Sequence, residues 1–100
     1  MKVVLSLDAE ADLTEIWLWN AEERGVRHAD DYISFLREHI AKLETRSDIG
    51  TKIDLGPDYR YILMKRRSGG HGHIAVYQIR SDEILVVHVF HTSQDWRAKL

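Results

Sequence analysis

The sequence predicts an α+β domain of order β-αα-βββ, in which an N-terminal helical hairpin packs on a small twisted antiparallel-meander sheet that ends in a short C-terminal tail. Three observations carry this expectation. Apolar residues recur at helical spacing over two neighbouring stretches separated near Gly25, the period changes to two after Pro57, and the three β-rich segments that follow are joined by connections too short for a crossover. One hundred residues make one domain, 1–100, and a chain of this length buries roughly 65% of its unfolded surface.

Lys2 to Leu5 is a short β-type run, and Ser6 follows where a helix N-cap belongs, its hydroxyl placed to accept an amide hydrogen bond from the first turn. Asp8, Glu10 and Asp12 complement the positive end of the helix dipole, and Ala9, Leu13, Ile16 and Trp17 mark one face of a helix from about Leu7 to Arg24. Gly25 stands at the C-cap. Ala29, Ile33, Leu36, Ile40 and Leu43 then repeat at spacings of 4, 3, 4 and 3, so a second helix must fold back on the first. From Asp48 to Asp58 the pattern lapses into a loop containing Gly50, Gly56 and the only proline, Pro57. Tyr59 to Arg67, His73 to Arg80 and Glu83 to His91 alternate with strand period, separated by Ser68-Gly69-Gly70 and by a turn at Ser81-Asp82.

Charge and composition narrow the function classes. The chain is 44% apolar and 30% charged, with no apolar run near the ~20 residues needed to span a bilayer. The N-terminus lacks the apolar core and cleavage site of a secretory signal, so a cytoplasmic location is expected. The absence of cysteine excludes disulfides and thiolate metal sites. Residues 1–50 carry 6 basic and 11 acidic side chains, whereas residues 51–100 carry 8 and 5; that field is too weak to imply nucleic-acid binding by itself.

Histidines are the first candidates for chemistry. His71 and His73 flank Gly72, and His88 and His91 are three apart on a strand, a spacing that turns them to opposite faces. No metal site and no cofactor are expected from such spacings. Neither a nucleophile elbow nor a phosphate-binding loop is present. A metal-free ribonuclease needs a base, a cation and an acid; Arg60, Arg66, Arg80 and His91 offer cation and acid, but Glu83 and Asp58 read as turn residues rather than as the base. Lys65, Arg66 and Arg67, alternating on a strand, read as a solvated strand end. Leu18 and Trp19 fall off the core stripe of the first helix, and Tyr32 and Phe35 lie beside that of the second, which together hint at a surface that meets a partner. Trp96 either pins the tail to the sheet or anchors an interface.

These residues also carry a family resemblance. "LSLDAEADLTEIWLW" resembles the first-helix signature of ParE toxins in the RelE/ParE superfamily, through Ser6, Ala9, Asp12, Leu13, Ile16, Trp17 and Trp19. Leu55, Gly56 and Arg60 are similar to a Leu-Gly-x-x-x-Arg stretch of that family, Tyr77 to its tyrosine-containing strand, and His91, Asp95 and Trp96 to its last strand and tail. The resemblance implies a RelE/ParE-like fold and a toxin of a type II toxin-antitoxin module. Such toxins are associated with inhibition of DNA gyrase and with neutralisation by a ParD-type antitoxin in a hetero-oligomer. Leu18, Trp19, Tyr32 and Phe35 are then expected to meet the antitoxin, and Trp96, Arg97 and Lys99 to contribute to the target contact. The alternative is a ribosome-dependent messenger-RNA endoribonuclease of the RelE type using Arg60, Arg80 and His91. Sequence-specific nucleic-acid binding by the toxin alone and membrane association are not expected.

Overall fold

A computed structural model describes residues 1–67 and 69–100, so the expected turn at residue 68 lies outside the described residues. The chain runs β1 (Lys2–Leu5), α1 (Leu7–Arg24), α2 (Val26–Ala41), two 3-10 turns (Lys42–Glu44 and Ser47–Ile49), β2 (Thr51–Lys52), β3 (Tyr59–Met64), β4 (His73–Ile79), β5 (Glu83–His91) and a terminal 3-10 turn (Trp96–Lys99). The sheet order is β1-β5-β4-β3-β2.

Strands β3, β4 and β5 form the expected antiparallel meander, but the sheet as a whole is mixed and has five strands. Strand β1 lies parallel to β5, with Lys2 opposite Glu83 and Leu5 opposite Val86. The helical hairpin supplies part of the long crossover that a parallel pair requires. Strand β2 is a two-residue partner of β3 within the segment expected to be loop, too short to leave an alternating pattern in the sequence. Strand β3 ends at Met64 and not at Arg67, so Lys65, Arg66 and Arg67 belong to the connection that follows it.

Ser6 performs the predicted capping and more. Its hydroxyl accepts from the amide of Ala9 (3.0 Å) and donates to the carbonyl of Val87 (2.7 Å), while its own amide donates to Val86 (2.9 Å). Gly25 alone connects the helices, at φ +94°, a region that favours glycine. Core residues of α1 are Ala9, Leu13 and Ile16, followed by buried Asn20, whose amide bonds back to the Ile16 carbonyl. Trp17, expected in this stripe, is half-buried beside it and donates from Nε1 to Asp30 (2.8 Å), clamping the hairpin. From α2 and the following turn, Leu36, Ile40 and Leu43 reach the sheet residues Met64, Ala75, Ile84 and Val86.

A second, smaller cluster covers the opposite sheet face: Ile74, Val76, Phe90 and Trp96, with Ile53, Tyr61 and Val87 packed against them. Its geometry depends on a β-bulge. Val76 pairs with His88 but Tyr77 with Val86, leaving Val87 as the extra residue of β5. The insertion resets the alternation, so Val86 and Val89 share the helix-facing core while Phe90 faces away from it.

Tyr77 fastens the loop after α2. Wholly buried, it donates its hydroxyl to the Ser47 carbonyl (2.7 Å) and accepts from the Gly50 amide (3.0 Å). A side chain at residue 50 would overlap the Tyr77 hydroxyl, so the close approach requires glycine there. Tyr77→Phe strands a buried amide and a carbonyl, and denaturant unfolding is expected to show a loss of about 1–3 kcal/mol.

Candidate functional site

The C-terminal half of β5 extends past the end of β1, which leaves its edge without a strand neighbour. Asp12 fills that gap. Its Oδ2 accepts from the Val89 amide (2.9 Å) and from His88, whose Nδ1 lies 3.1 Å away, with Asp8 at 3.8 Å from the other ring nitrogen. The sequence marks Asp12 as a first-turn carboxylate, but its contact across 77 residues to the sheet edge leaves no local signal. His88 is therefore a structural peg between helix and strand, and it stacks on Phe90 (4.9 Å between ring centres).

Three imidazoles stand in a row, from His73 on the helix side of the sheet to His71 at the rim of the open cleft. His73 opposes His91 across the β4-β5 ladder, their rings meeting edge to face at 5.1 Å, and His71 lies 5.2 Å beyond His91. The Tyr32 hydroxyl of α2 hydrogen-bonds Nδ1 of His73, tying the helix to the sheet. Burial, and secondarily the neighbouring His91, push the His73 pKa down to about 4. His91 is also held below the ordinary imidazole value, first by burial and then by His71. Its Nδ1 lies against the Ser93 hydroxyl and accepts from the Ser93 amide, and its own amide donates to Gln94 Oε1 (2.8 Å). His91 thus closes the last strand into its turn.

On the opposite face the tail returns to the sheet. Trp96 is 6% exposed and packs against Tyr61 at 4.9 Å. Pinning the tail is the role the structure gives it. Arg97 lies over both rings, its guanidinium carbon 4.3 Å from the Trp96 centre and 5.4 Å from that of Tyr61, while Lys99 is exposed at the end of the turn. Beside them is an open cleft of about 420 Å³, lined by Tyr61, Leu63, Lys65, Gly70, His71, Ile74, Thr92, Trp96 and Arg97.

The residues of the nuclease alternative are not brought together. Arg60 donates to the carbonyls of Asp48 (3.1 Å) and Gly50 (2.9 Å), holding the loop that Tyr77 also holds. Arg80 is exposed beyond β4, its Nε donating to Gln78. Arg60 pairs with Tyr77 whereas His91 pairs with His73, which separates them by four residues of β4, roughly 13 Å along the strand. No group of three or more metal-ligating side chains among the described residues is arranged to hold an ion.

The residues expected at a partner surface divide into two pairs. Leu18 and Trp19 are 50% and 59% exposed on α1. Tyr32 and Phe35 are half-buried against the core, stacked on each other at 5.9 Å, with Arg66 above the Phe35 ring. Their spacing beside the core stripe left open how far each would sink into it.

This arrangement has known counterparts. The fold is shared with a solved chain described as the chromosomal ParDE TA system from P. aeruginosa, at a TM-score of 0.75 and 19% identity, covering 90% of this chain and 94% of that one. It is shared more loosely with the solution structure of the conserved hypothetical protein HP0894 from Helicobacter pylori, at a TM-score of 0.53 and 20% identity, covering 94% and 97%. The class is thus the RelE/ParE-like α+β fold. In sequence, Toxin ParE1 of Caulobacter vibrioides (strain ATCC 19089 / CIP 103742 / CB 15) is 29% identical over 96 residues, 96% of this chain and 94% of the relative. The family model described as ParE toxin of type II toxin-antitoxin system, parDE, matches residues 3–96. The chain belongs to the ParE toxin family, and membership implies an antitoxin partner.

The depressed His73 value makes stability depend on pH. The unfolded chain binds a proton at residue 73 below about pH 6.5, the native chain only below about pH 4. Stability is therefore expected to fall as pH drops from 6.5 to 4, by on the order of 3 kcal/mol at most, and to lose no more from this residue below that window. Thermal unfolding across the range checks it. His73→Asn, which keeps a hydrogen-bonding group beside Tyr32 without a titrating one, should flatten most of the slope.

Proposed function

We propose that this chain is a cytoplasmic toxin that arrests growth by inhibiting DNA gyrase and is neutralised by a ParD-type antitoxin with which it forms a hetero-oligomer. The observation that carries the reading is the match to the ParE toxin family over residues 3–96. Placing the action in binding rather than in RNA cleavage is supported by the separation of Arg60 and Arg80 from His91 and by the structural duties of Arg60 and His91. No helix among the described residues is long and apolar enough to cross a membrane.

The antitoxin would lie along the helical hairpin. Leu18 and Trp19 supply exposed apolar area there, while Tyr32 and Phe35 support the same layer from a half-buried position. An amphipathic segment docked on such a face gains most from the large aromatic. Trp19→Ala is expected to weaken antitoxin binding by about 1–2 kcal/mol in calorimetric titration without lowering the melting temperature. Unchanged affinity would remove Trp19 from the interface.

For the target, Arg97 and Lys99 present the tail's charges, and buried Trp96 holds the turn that carries them. Purified toxin is expected to inhibit gyrase supercoiling, and the Arg97→Ala, Lys99→Ala double variant to do so less well. Undiminished supercoiling at saturating wild-type toxin, together with intact transcripts in arrested cells, would overturn the gyrase reading; cleaved transcripts would replace it with the nuclease.

A further inference from the structure

We infer that the open face of the sheet holds a site for single-stranded nucleic acid, in which Lys65, His71 and Arg97 take the phosphate and the Tyr61-Arg97 platform takes a base. This goes beyond the gyrase reading and requires neither gyrase nor antitoxin.

The cleft has a fixed construction on each of its nitrogen-bearing sides. The guanidinium carbon of Arg97 lies over Trp96 and Tyr61, a contact that restrains the exposed side chain at the cleft. Lys65 crosses the chain at Gly72: a Cβ at residue 72 would come within 2.7 Å of its Cγ, so the absence of a side chain there gives the lysine its course along the cleft wall. His71 is held by Thr92, whose hydroxyl lies 3.3 Å from Nδ1 and accepts from the Gly72 amide (3.1 Å), while the Thr92 amide donates to the Gly72 carbonyl (3.0 Å). Three nitrogen-bearing side chains from three segments thus converge on one opening, and among the described residues no carboxylate lines it.

The floor between them decides the ligand class. Tyr61 is a half-buried ring and Leu63 is 52% exposed, an apolar strip on β3 beside the cations. An acidic peptide would satisfy the cations and leave that strip uncovered. A nucleotide uses both, its phosphate on the nitrogens and its base stacked on a ring or a guanidinium plane. A volume of about 420 Å³ lies within the range for a small-molecule-sized ligand, and its openness to solvent lets a strand enter and leave. Phosphate contact and stacking carry little base information, so binding is expected to be indifferent to sequence. In a chain with pI near 6.3 it should also be salt-sensitive.

The test is fluorescence anisotropy of labelled ten-nucleotide dT and rU strands, and of a DNA duplex, titrated at low salt with the full-length chain alone. Both single strands are expected to bind, with the duplex weaker and affinity falling as salt rises. Lys65→Ala and Arg97→Ala should each weaken binding by about tenfold, and Arg97→Lys less than Arg97→Ala because it keeps the charge without the plane. Preference for one strand type would identify DNA or RNA as the natural source. No anisotropy change with either strand, undiminished binding by a Lys65→Ala, Arg97→Ala double variant that circular dichroism shows folded, or equally potent displacement by poly-glutamate would overturn the proposal. Arg97 serves both proposals, so Lys65→Ala, outside the proposed gyrase contact, is the variant that tests the strand site separately from supercoiling.

Discussion

The hydrogen bonds of Ser6 hold the two ends of the chain together. One residue stops β1, starts α1 and fixes both to β5, through an amide and a hydroxyl that reach the adjacent carbonyls of Val86 and of the bulged Val87. That junction reinforces the register set by the β1-β5 ladder and fixes where α1 begins. Six residues later Asp12 continues the work, occupying with a carboxylate the edge position that a longer β1 would have filled. Charge-assisted bonds to amides are among the stronger hydrogen bonds, and this one sits where the bulge has already disturbed the ladder. The hairpin is thereby set against the sheet at its N-terminal end by Ser6 and Asp12, and farther along by Tyr32 on His73.

Most of the fold is written in local periodicity. Ser6, Gly25 and the Ala29-to-Leu43 stripe announce the hairpin, and the alternation from Tyr59 onward announces the meander. What escaped was what periodicity does not encode. The position of β1 depends on Ser6 meeting Val86 and Val87 from eighty residues away, and a two-residue β2 has no pattern at all. The bulge at Val87 replaces one alternation by another within a continuous apolar run, so the sequence alone cannot show that Val86 and Val89 share a side. Of the site residues, the exposure of Leu18 and Trp19 was legible as a departure from the stripe. The depth of Tyr32 was not, because it depends on a histidine at the start of a distant strand. Arg60 illustrates a further limit: an arginine on a strand suggests chemistry until its Nη1 is seen donating to two backbone carbonyls.

The molecule consequently has two unlike faces on one small sheet. Helices, with exposed Leu18 and Trp19, cover the first; a single turn of tail, nailed by Trp96, half-covers the second and leaves cations and aromatic surface beside it. A partner on one side need not obstruct a ligand on the other. Communication between them would pass through the sheet, where His73 faces the helices while its ladder partner His91 neighbours His71 at the cleft rim.

The adjacency of the first and last strands also sets the timing of maturation. During synthesis at about 5–20 residues per second, β1 would wait on the order of several seconds before β5 left the ribosome to receive it. Until then Ser6 has no carbonyls to bind, and the helical hairpin has only part of its sheet to lie on. Closing so long a loop is also entropically costly, which places this pairing late in folding. A truncated translation product lacking the last strand therefore lacks the fold, and any surface that the folded sheet carries arises only once that strand has been made.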